Sequence, residues 1–280
     1  MAGTGARPGV ALVVSDVDGT LLDPEKNLSP GTPAAVRRLK QAGIRFTIAS
    51  ARPPRLTQSL LHSLHVSEPS ACFNGALLID PDCNSLHQLP MNPADAQTVA
   101  DRICKSKLDL WVYAGMDWYV SDPTGPHVHH QEELMQRKAT PLYSYDMSQS
   151  DVLKLVGVSD DYDAVKRTQS ELDSLFPVSI SATCSSDYYL DVTHADANKG
   201  MVILALSKML NIPTEQIATI GDMPTDALMF RKSGVSIAMG NAADEVKARA
   251  TYVTRSNRED GFAYAIEHFI LGGEPKQAAD

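Results

Sequence analysis

Cysteine and tryptophan are scarce in this chain, with four Cys and two Trp among 280 residues. Cys72, Cys83, Cys104 and Cys184 form no C-x-x-C pair, so neither a zinc ribbon nor a disulfide frame is indicated. They read as reduced thiols of a cytoplasmic protein. No stretch approaches the roughly 20 consecutive apolar residues of a membrane helix. The apolar run Val10 to Val14 is too short for a signal segment and soon meets an acid. Positive charge is also in deficit, 25 Lys and Arg against 34 Asp and Glu, for a net charge of −9. That balance disfavours nucleic acid or an anionic membrane surface as the main partner. It leaves room for a small phosphorylated substrate, because a cation and a few Lys or Arg can reverse the field inside one cleft. Internal repeats and low-complexity tracts are missing, and nothing in the sequence reports on oligomeric state.

What is present is enough apolar material, 43% of residues, to bury a substantial core. A strand over Val10 to Val14, a helix over Ser29 to Gln41 closed by Gly43, and a strand over Ile44 to Ala49 form one βαβ unit with parallel strands. A helix over Pro54 to Leu64 and a short strand, Ala71 to Phe73, follow and end in Asn74-Gly75. From about Asp80 to Leu190 the texture changes. Two helices, Ala94 to Ser106 and Tyr162 to Leu175, alternate with β-rich runs at 108–113, 118–121, 153–158, 178–183 and 188–192. Both tryptophans and seven of the nine tyrosines lie in this stretch, which favours an antiparallel sheet surface. The βα rhythm returns with helices at 199–210, 225–232, 242–250 and 261–270 and strands at 216–220, 235–238 and 251–253, before a frayed tail, Gly272 to Asp280. The expected fold is therefore α/β: a Rossmann-like parallel-sheet core domain (1–80 and 191–280) with an inserted α+β cap domain (81–190), an antiparallel sheet with helices.

The most informative run is Val13-Val14-Ser15-Asp16-Val17-Asp18-Gly19-Thr20-Leu21-Leu22-Asp23. A buried strand ends and throws two carboxylates onto the loop at its carboxyl end, the edge where open α/β sheets bind ligands. Two acids placed so close repel each other, and a hard divalent cation such as Mg2+ is their natural partner. Three further positions fall at comparable places. Ser50 follows the strand Ile44 to Ala49, Asp222 sits in Ile220-Gly221-Asp222-Met223-Pro224-Thr225-Asp226, and Lys199 opens a helix where the inserted lobe rejoins the core. Taken singly, Ser50, Thr225 or Asp226 could be a helix cap, Asp222 a turn acid and Lys199 a solvated lysine. A lysine in a first helical turn opposes the helix dipole, however, and wants an anion to hold. Converged on one cleft, these residues supply acids for a cation, a hydroxyl and an ammonium for an anion, and backbone N–H groups from glycine-containing turns. Such a set suits a phosphoryl group bridged to magnesium.

Asp16-Val-Asp18-Gly-Thr, Ser50, Lys199 and Gly221-Asp222-x-x-x-Asp226, in this order, resemble the four motifs of the haloacid dehalogenase superfamily. The insertion after Asn74-Gly75-Ala76 resembles the Cof-like phosphatases with a type 2 (IIB) cap, and Ala238-Met239-Gly240-Asn241-Ala242 resembles that group's C-terminal end. The resemblance implies Asp16 as a nucleophile forming an aspartyl-phosphate, and Asp18 as general acid and base. It implies Asp16, Asp222 and the Asp18 carbonyl as ligands of Mg2+, and Ser50, Lys199 and Thr225 as the phosphate-binding groups. Asp226 and Asn241 would support the loops. Relatives usually read G-D-x-x-N-D; here Thr225 replaces the Asn, with a shorter reach. An acid at position 18 fits hydrolases, since the superfamily's ion pumps carry Thr there.

The implied activity is that of a Mg2+-dependent phosphoric monoester hydrolase acting on small phosphorylated metabolites, sugar phosphates among them. A phosphomutase of the same fold and a non-catalytic phospho-acceptor or regulatory protein are the alternatives. The length and Asp18 weigh against a receiver-type acceptor, which needs about half as many residues by domain size. His127-Val128-His129-His130 invites a zinc reading, but no Cys or acid triad surrounds it, and it is expected in a cap loop. Trp111, Tyr113, Trp118 and Tyr119 are expected to be sheet packing, with one of them able to face the cleft.

Overall fold

The computed structural model describes residues 9–148 and 151–272. The tail beyond Gly272, expected to fray, lies outside the described residues. The chain begins with strand β1 (Leu12–Ser15), helix α1 (Thr32–Gln41), strand β2 (Arg45–Ile48), helix α2 (Pro54–Ser63) and strand β3 (Ser70–Cys72). A hairpin, β4 (Leu77–Ile79) and β5 (Ser85–Gln88), then pairs antiparallel onto β3. Helix α3 (Pro93–Lys105) leads into β6 (Asp109–Ala114), β7 (Asp117–Val120), α4 (Val128–Met135), β8 (Thr140–Pro141), β9 (Val152–Val158), α5 (Tyr162–Leu175), β10 (Ile180–Ser186) and β11 (Tyr189–His194). The chain returns through α6 (Lys199–Leu210), β12 (Ile217–Gly221), α7 (Asp226–Phe230), β13 (Val235–Ala238), α8 (Asp244–Lys247), β14 (Tyr252–Val253) and α9 (Gly261–Ala265), which runs on as a wider turn through Ile270.

Five strands form a wholly parallel sheet in the order β14-β13-β12-β1-β2. Strand β1 sits between β2, which follows it in the chain, and β12, which comes after the insertion. The chain thus leaves β1 in both directions, and the carboxyl ends of β1 and β12 flank the switch point where such sheets bind ligands. The alternation of side chains along β1 holds the layers together. Val13 packs with Leu39, Ile48 and Phe262 on the α1/α9 side, and Leu12 and Val14 with Ile203, Leu206 and Met229 on the α6/α7 side. All three β1 residues are fully buried, and each such side chain contributes about 1.5–3 kcal/mol relative to exposure. Their role is to fix where the next residue, Asp16, emerges.

The second sheet has six strands in the order β10-β11-β9-β6-β7-β8, antiparallel except for the short β7–β8 pairing. One face carries α3 and α5 over Leu110, Val112, Leu155 and Val192. The opposite face turns Trp111, Tyr113, Trp118 and Val156 into the same apolar cluster as the parallel domain. Strand β11 extends to His194, past the expected lobe boundary at 190/191, and the boundary at 80/81 falls in the turn between β4 and β5. The stretch expected to be a loop around the histidines is instead helical. His127, at φ +63°, precedes α4, which buries Val128, Gln131 and Met135 and lies against α2. His127 stacks on Tyr188 with ring centroids 4.0 Å apart and bonds Asp160 at 2.9 Å, while His129 and His130 are exposed. Trp111, Tyr113 and Trp118 are buried, as expected of sheet packing.

Candidate active site

Asp16 is the first residue beyond β1, and its backbone N–H donates to Ile220 O of β12 at 2.9 Å, which pins the loop to the sheet edge. Its side chain is buried. Oδ1 accepts a hydrogen bond from Lys199 Nζ at 2.5 Å, and Oδ2 has no partner among the described residues. Lys199, held in the first turn of α6 by the Asn198 cap, also reaches Asp226 Oδ1 at 2.5 Å. One ammonium therefore joins the β1 loop to the β12 loop. Burial works against its charge, but Asp16 and Asp226 outweigh that cost and hold Lys199 protonated well above its usual range. Asp16 moves the opposite way. Burial, with the neighbouring Asp226 and Asp222 charges, raises its carboxyl above the ordinary carboxylate range despite the pull of Lys199.

Asp226 is fully buried, and its other oxygen accepts the backbone N–H groups of Asp222 (2.9 Å) and Met223 (2.8 Å). Both of its oxygens are thus occupied in shaping the β12–α7 turn. Asp222 stands beside it with its carboxyl pushed up to about 6, first by burial and then by Asp226. Its oxygens accept from Thr20 Oγ1 (3.2 Å) and Asn241 Nδ2 (3.3 Å). Asn241 also donates to Gly19 O at 2.9 Å and accepts the Asn257 N–H at 3.0 Å, so it ties three loops together. Gly19 has φ +80°, and a Cβ there would lie 2.3 Å from Asp222 Oδ2. Glycine is therefore required on both conformational and spatial grounds.

Ser50 is buried at the end of β2, where its N–H bonds Ala71 O (3.0 Å) and its Oγ accepts from the Arg52 N–H (3.1 Å). Asp18 lies farther out, with its side chain 38% exposed. Arg52 grips it with two bonds, Nε to Oδ2 at 2.7 Å and a terminal nitrogen to Oδ1 at 2.8 Å, and Lys26 adds a third at 2.8 Å. Although burial pushes the other way, these cations hold the Asp18 carboxyl down at about 2. Thr225 precedes α7, half-buried, and its hydroxyl makes no hydrogen bond among the described residues. It is not drawn into the Asp16–Lys199–Asp226 group.

Sequence reasoning did not assign roles to Arg52, Lys26, Thr20 or Asn257. The only signal for Arg52 was its place two residues after Ser50. Its partner, Asp18, comes from a different strand end and is found only in three dimensions.

Ligand atoms of Asp16, Asp222 and Asp226 lie within 4.8 Å of one another. A divalent cation fits the first two. Asp16 offers a buried carboxylate oxygen with no partner among the described residues, and the raised carboxyls of Asp16 and Asp222 suit a positive charge between them. Asp226, with both oxygens bonded, serves as a brace.

The model of the haloacid dehalogenase-like hydrolase family matches residues 13–266. A 5-amino-6-(5-phospho-D-ribitylamino)uracil phosphatase of Bacillus subtilis (strain 168) is 29% identical, with 93% of this chain and 98% of that protein covered. A putative phosphatase of Haemophilus influenzae is 26% identical over 91% and 96% of the two chains. The crystal structure of a haloacid dehalogenase-like hydrolase from Bacteroides thetaiotaomicron superposes with a TM-score of 0.82 at 25% identity, covering 92% of this chain and 99% of that one. A HAD subclass IIB sugar phosphatase shares the fold at a TM-score of 0.80 and 20% identity, over 93% and 99% of the two chains. With a strand-end aspartate pair, a buried lysine and a facing acidic turn already in place, a family match over this span completes the assignment: the chain belongs to the haloacid dehalogenase-like hydrolases.

Proposed function

We propose that this protein is a Mg2+-dependent phosphatase that hydrolyses small phosphorylated metabolites, sugar phosphates foremost, through an aspartyl-phosphate on Asp16. The observation that carries this reading is the Asp16 side chain itself, one oxygen bonded to Lys199 and the other buried beside Asp222 with no partner among the described residues. A purely structural carboxylate would satisfy both oxygens. The relatives named as phosphatases support the same reading, and the parallel-sheet unit and the inserted six-stranded unit would serve as catalytic core and cap.

An Asp16 oxygen would attack phosphorus as the bond to the ester oxygen breaks, and Asp18 would protonate the departing alkoxide. Water would then attack phosphorus with its proton passing to Asp18, which releases phosphate and restores the Asp16 carboxylate. Asp18, gripped by Arg52 and Lys26, is a carboxylate in the state described and so suits the second half. Proton donation in the first half requires its release from that grip. Lys199 and Ser50 would hold the phosphoryl oxygens. Asp16 and Asp222, with the Asp18 carbonyl, would hold Mg2+, which when bound supplies Lewis-acid polarisation of the phosphoryl group.

The test is phosphate release from an aryl phosphate and a sugar-phosphate panel, with Mg2+ and with a chelator. Release is expected only with the metal. Mg2+ should also raise the Tm of the wild type, since it binds the folded state alone, and leave the Tm of Asp222→Asn unmoved. Undiminished turnover in chelator would contradict the metal assignment.

A further inference from the structure

The six-stranded sheet presents an aromatic face to the parallel domain, and one buried ion pair interrupts it. Lys154 Nζ on β9 meets Asp191 Oδ2 on β11 at 2.7 Å, each side chain only 9% exposed. Neighbouring registers pair Lys154 with Tyr113 and Asp191 with Val156, so both side chains share the face that carries Trp111, Tyr113 and Trp118. A buried ion pair is poor cement: apolar residues of similar volume in its place are commonly neutral or stabilising. Its position here calls for another reason.

That position is over the catalytic edge. Lys154 Nζ lies 5.8 Å from the centre of the Phe73 ring, and Tyr113 packs on the same ring at 5.0 Å. Phe73 belongs to the loop that backs Ser50 and Arg52, with Phe73 N–H donating to Arg52 O at 3.2 Å and Asn74 N–H to Ser50 O at 2.9 Å. Phe73 and Asn74 both adopt left-handed backbone angles, φ +51° and +57°. For a bulky residue such as phenylalanine this conformation is strained, and such strain gathers at functional sites. The strained loop thus carries the catalytic edge on one side and meets the ion pair on the other. On the same sheet face the indole N–H groups of Trp111 and Trp118 are buried without partners among the described residues. Taken together, the face offers one carboxylate acceptor, one ammonium and two spare N–H donors between aromatic planes.

We infer that Lys154 and Asp191 form the recognition dyad for the leaving group, and that this leaving group is a polyol or sugar carrying vicinal hydroxyls. The inference rests on the phosphatase reading above. Asp191 accepts two hydroxyl hydrogens, Lys154 donates to a hydroxyl oxygen, and the aromatic planes cover the apolar C–H face of the chain or ring. Lys154 and Asp191 touch no reacting atom; they select and position the substrate.

The experiment compares the wild type, Lys154→Gln, Asp191→Asn and the apolar double variant Lys154→Met/Asp191→Leu. Each is assayed on 4-nitrophenyl phosphate, which has no hydroxyl groups, and on glycerol, pentitol and hexose phosphates. In all three variants kcat/KM for the polyol and sugar phosphates is expected to fall about 10- to 100-fold, the scale of a lost hydrogen bond to a charged group. The loss should appear mainly in KM, with 4-nitrophenyl phosphate within about threefold of wild type and the double variant melting no lower than wild type. A parallel loss on both substrate types, a large fall in the double variant's Tm, or a wild type with no preference for hydroxylated substrates overturns the dyad and leaves the phosphatase reading standing. A wild type that hydrolyses neither type sinks both.

Discussion

Asp16→Asn should lose at least about four orders of magnitude in kcat, the scale seen when a covalent nucleophile is removed, while keeping its fold. The substitution preserves volume at a buried site and leaves Lys199 still paired with Asp226. It also removes one of three clustered carboxylates, Asp16, Asp222 and Asp226, which share a single ammonium, Lys199, when no metal ion is bound and whose mutual repulsion then opposes folding. The metal-free variant is therefore expected to melt at or above the wild-type temperature while releasing no phosphate. Phosphate release measured beside a thermal melt checks both halves. An active Asp16→Asn would remove the basis of the covalent mechanism.

Lys199→Met is expected to fail in the opposite way, by losing stability as well as activity. Its ammonium is the charged partner of two buried carboxylates, Asp16 and Asp226. Removing one partner of a buried ion pair costs about 3–5 kcal/mol, because the charge left behind has neither water nor a counter-ion. In a domain of this size each kcal/mol lowers Tm by roughly 2–4 °C. The sign of the pH effect follows from the acids. Without Lys199 the folded-state Asp16 carboxyl rises further above its unfolded value, so the folded state binds protons more readily than the unfolded chain. The stability deficit should then shrink as pH falls, and adding Asp16→Asn should recover part of it. Melts of the single and double variants in chelator, across pH, are the check. A Lys199→Met protein as stable as wild type would show that the ion pair is not what joins the β1 and β12 loops.

The elements legible in the sequence were those whose ends carry local chemistry. Helix α6 begins at Lys199 because Asn198 caps it and ends where Asn211 turns left-handed, and α5 opens on the Asp161 cap; both occupy their expected spans. Helix α4 escaped because it has no such signal: its preceding residue is His127 with no side-chain cap, and two adjacent histidines break its apolar pattern. Strands β4 and β8, three and two residues long, are too short to show a period. Positions just past strand ends were readable because a strand-to-loop step with Asp or Gly is a local pattern, as at Asp16, Asp18 and Asp222. Partners were not. The grip of Arg52 on Asp18, the Asn241 link to Gly19, and the Lys154–Asp191 pair each join segments far apart in the chain. The hydroxyl of Thr225 shows the reverse limit, a residue at a motif position whose side chain does not join the others.

The most direct test of the account is to trap the phosphoryl group on the enzyme. Wild-type protein would be mixed with Mg2+ and a substrate carrying labelled phosphate, quenched in acid within one turnover, and digested for peptide mapping. The label is expected on the peptide that contains Asp16 and is expected to vanish in Asp16→Asn. Labelled phosphate released at full rate with none ever found on Asp16 would contradict the covalent mechanism.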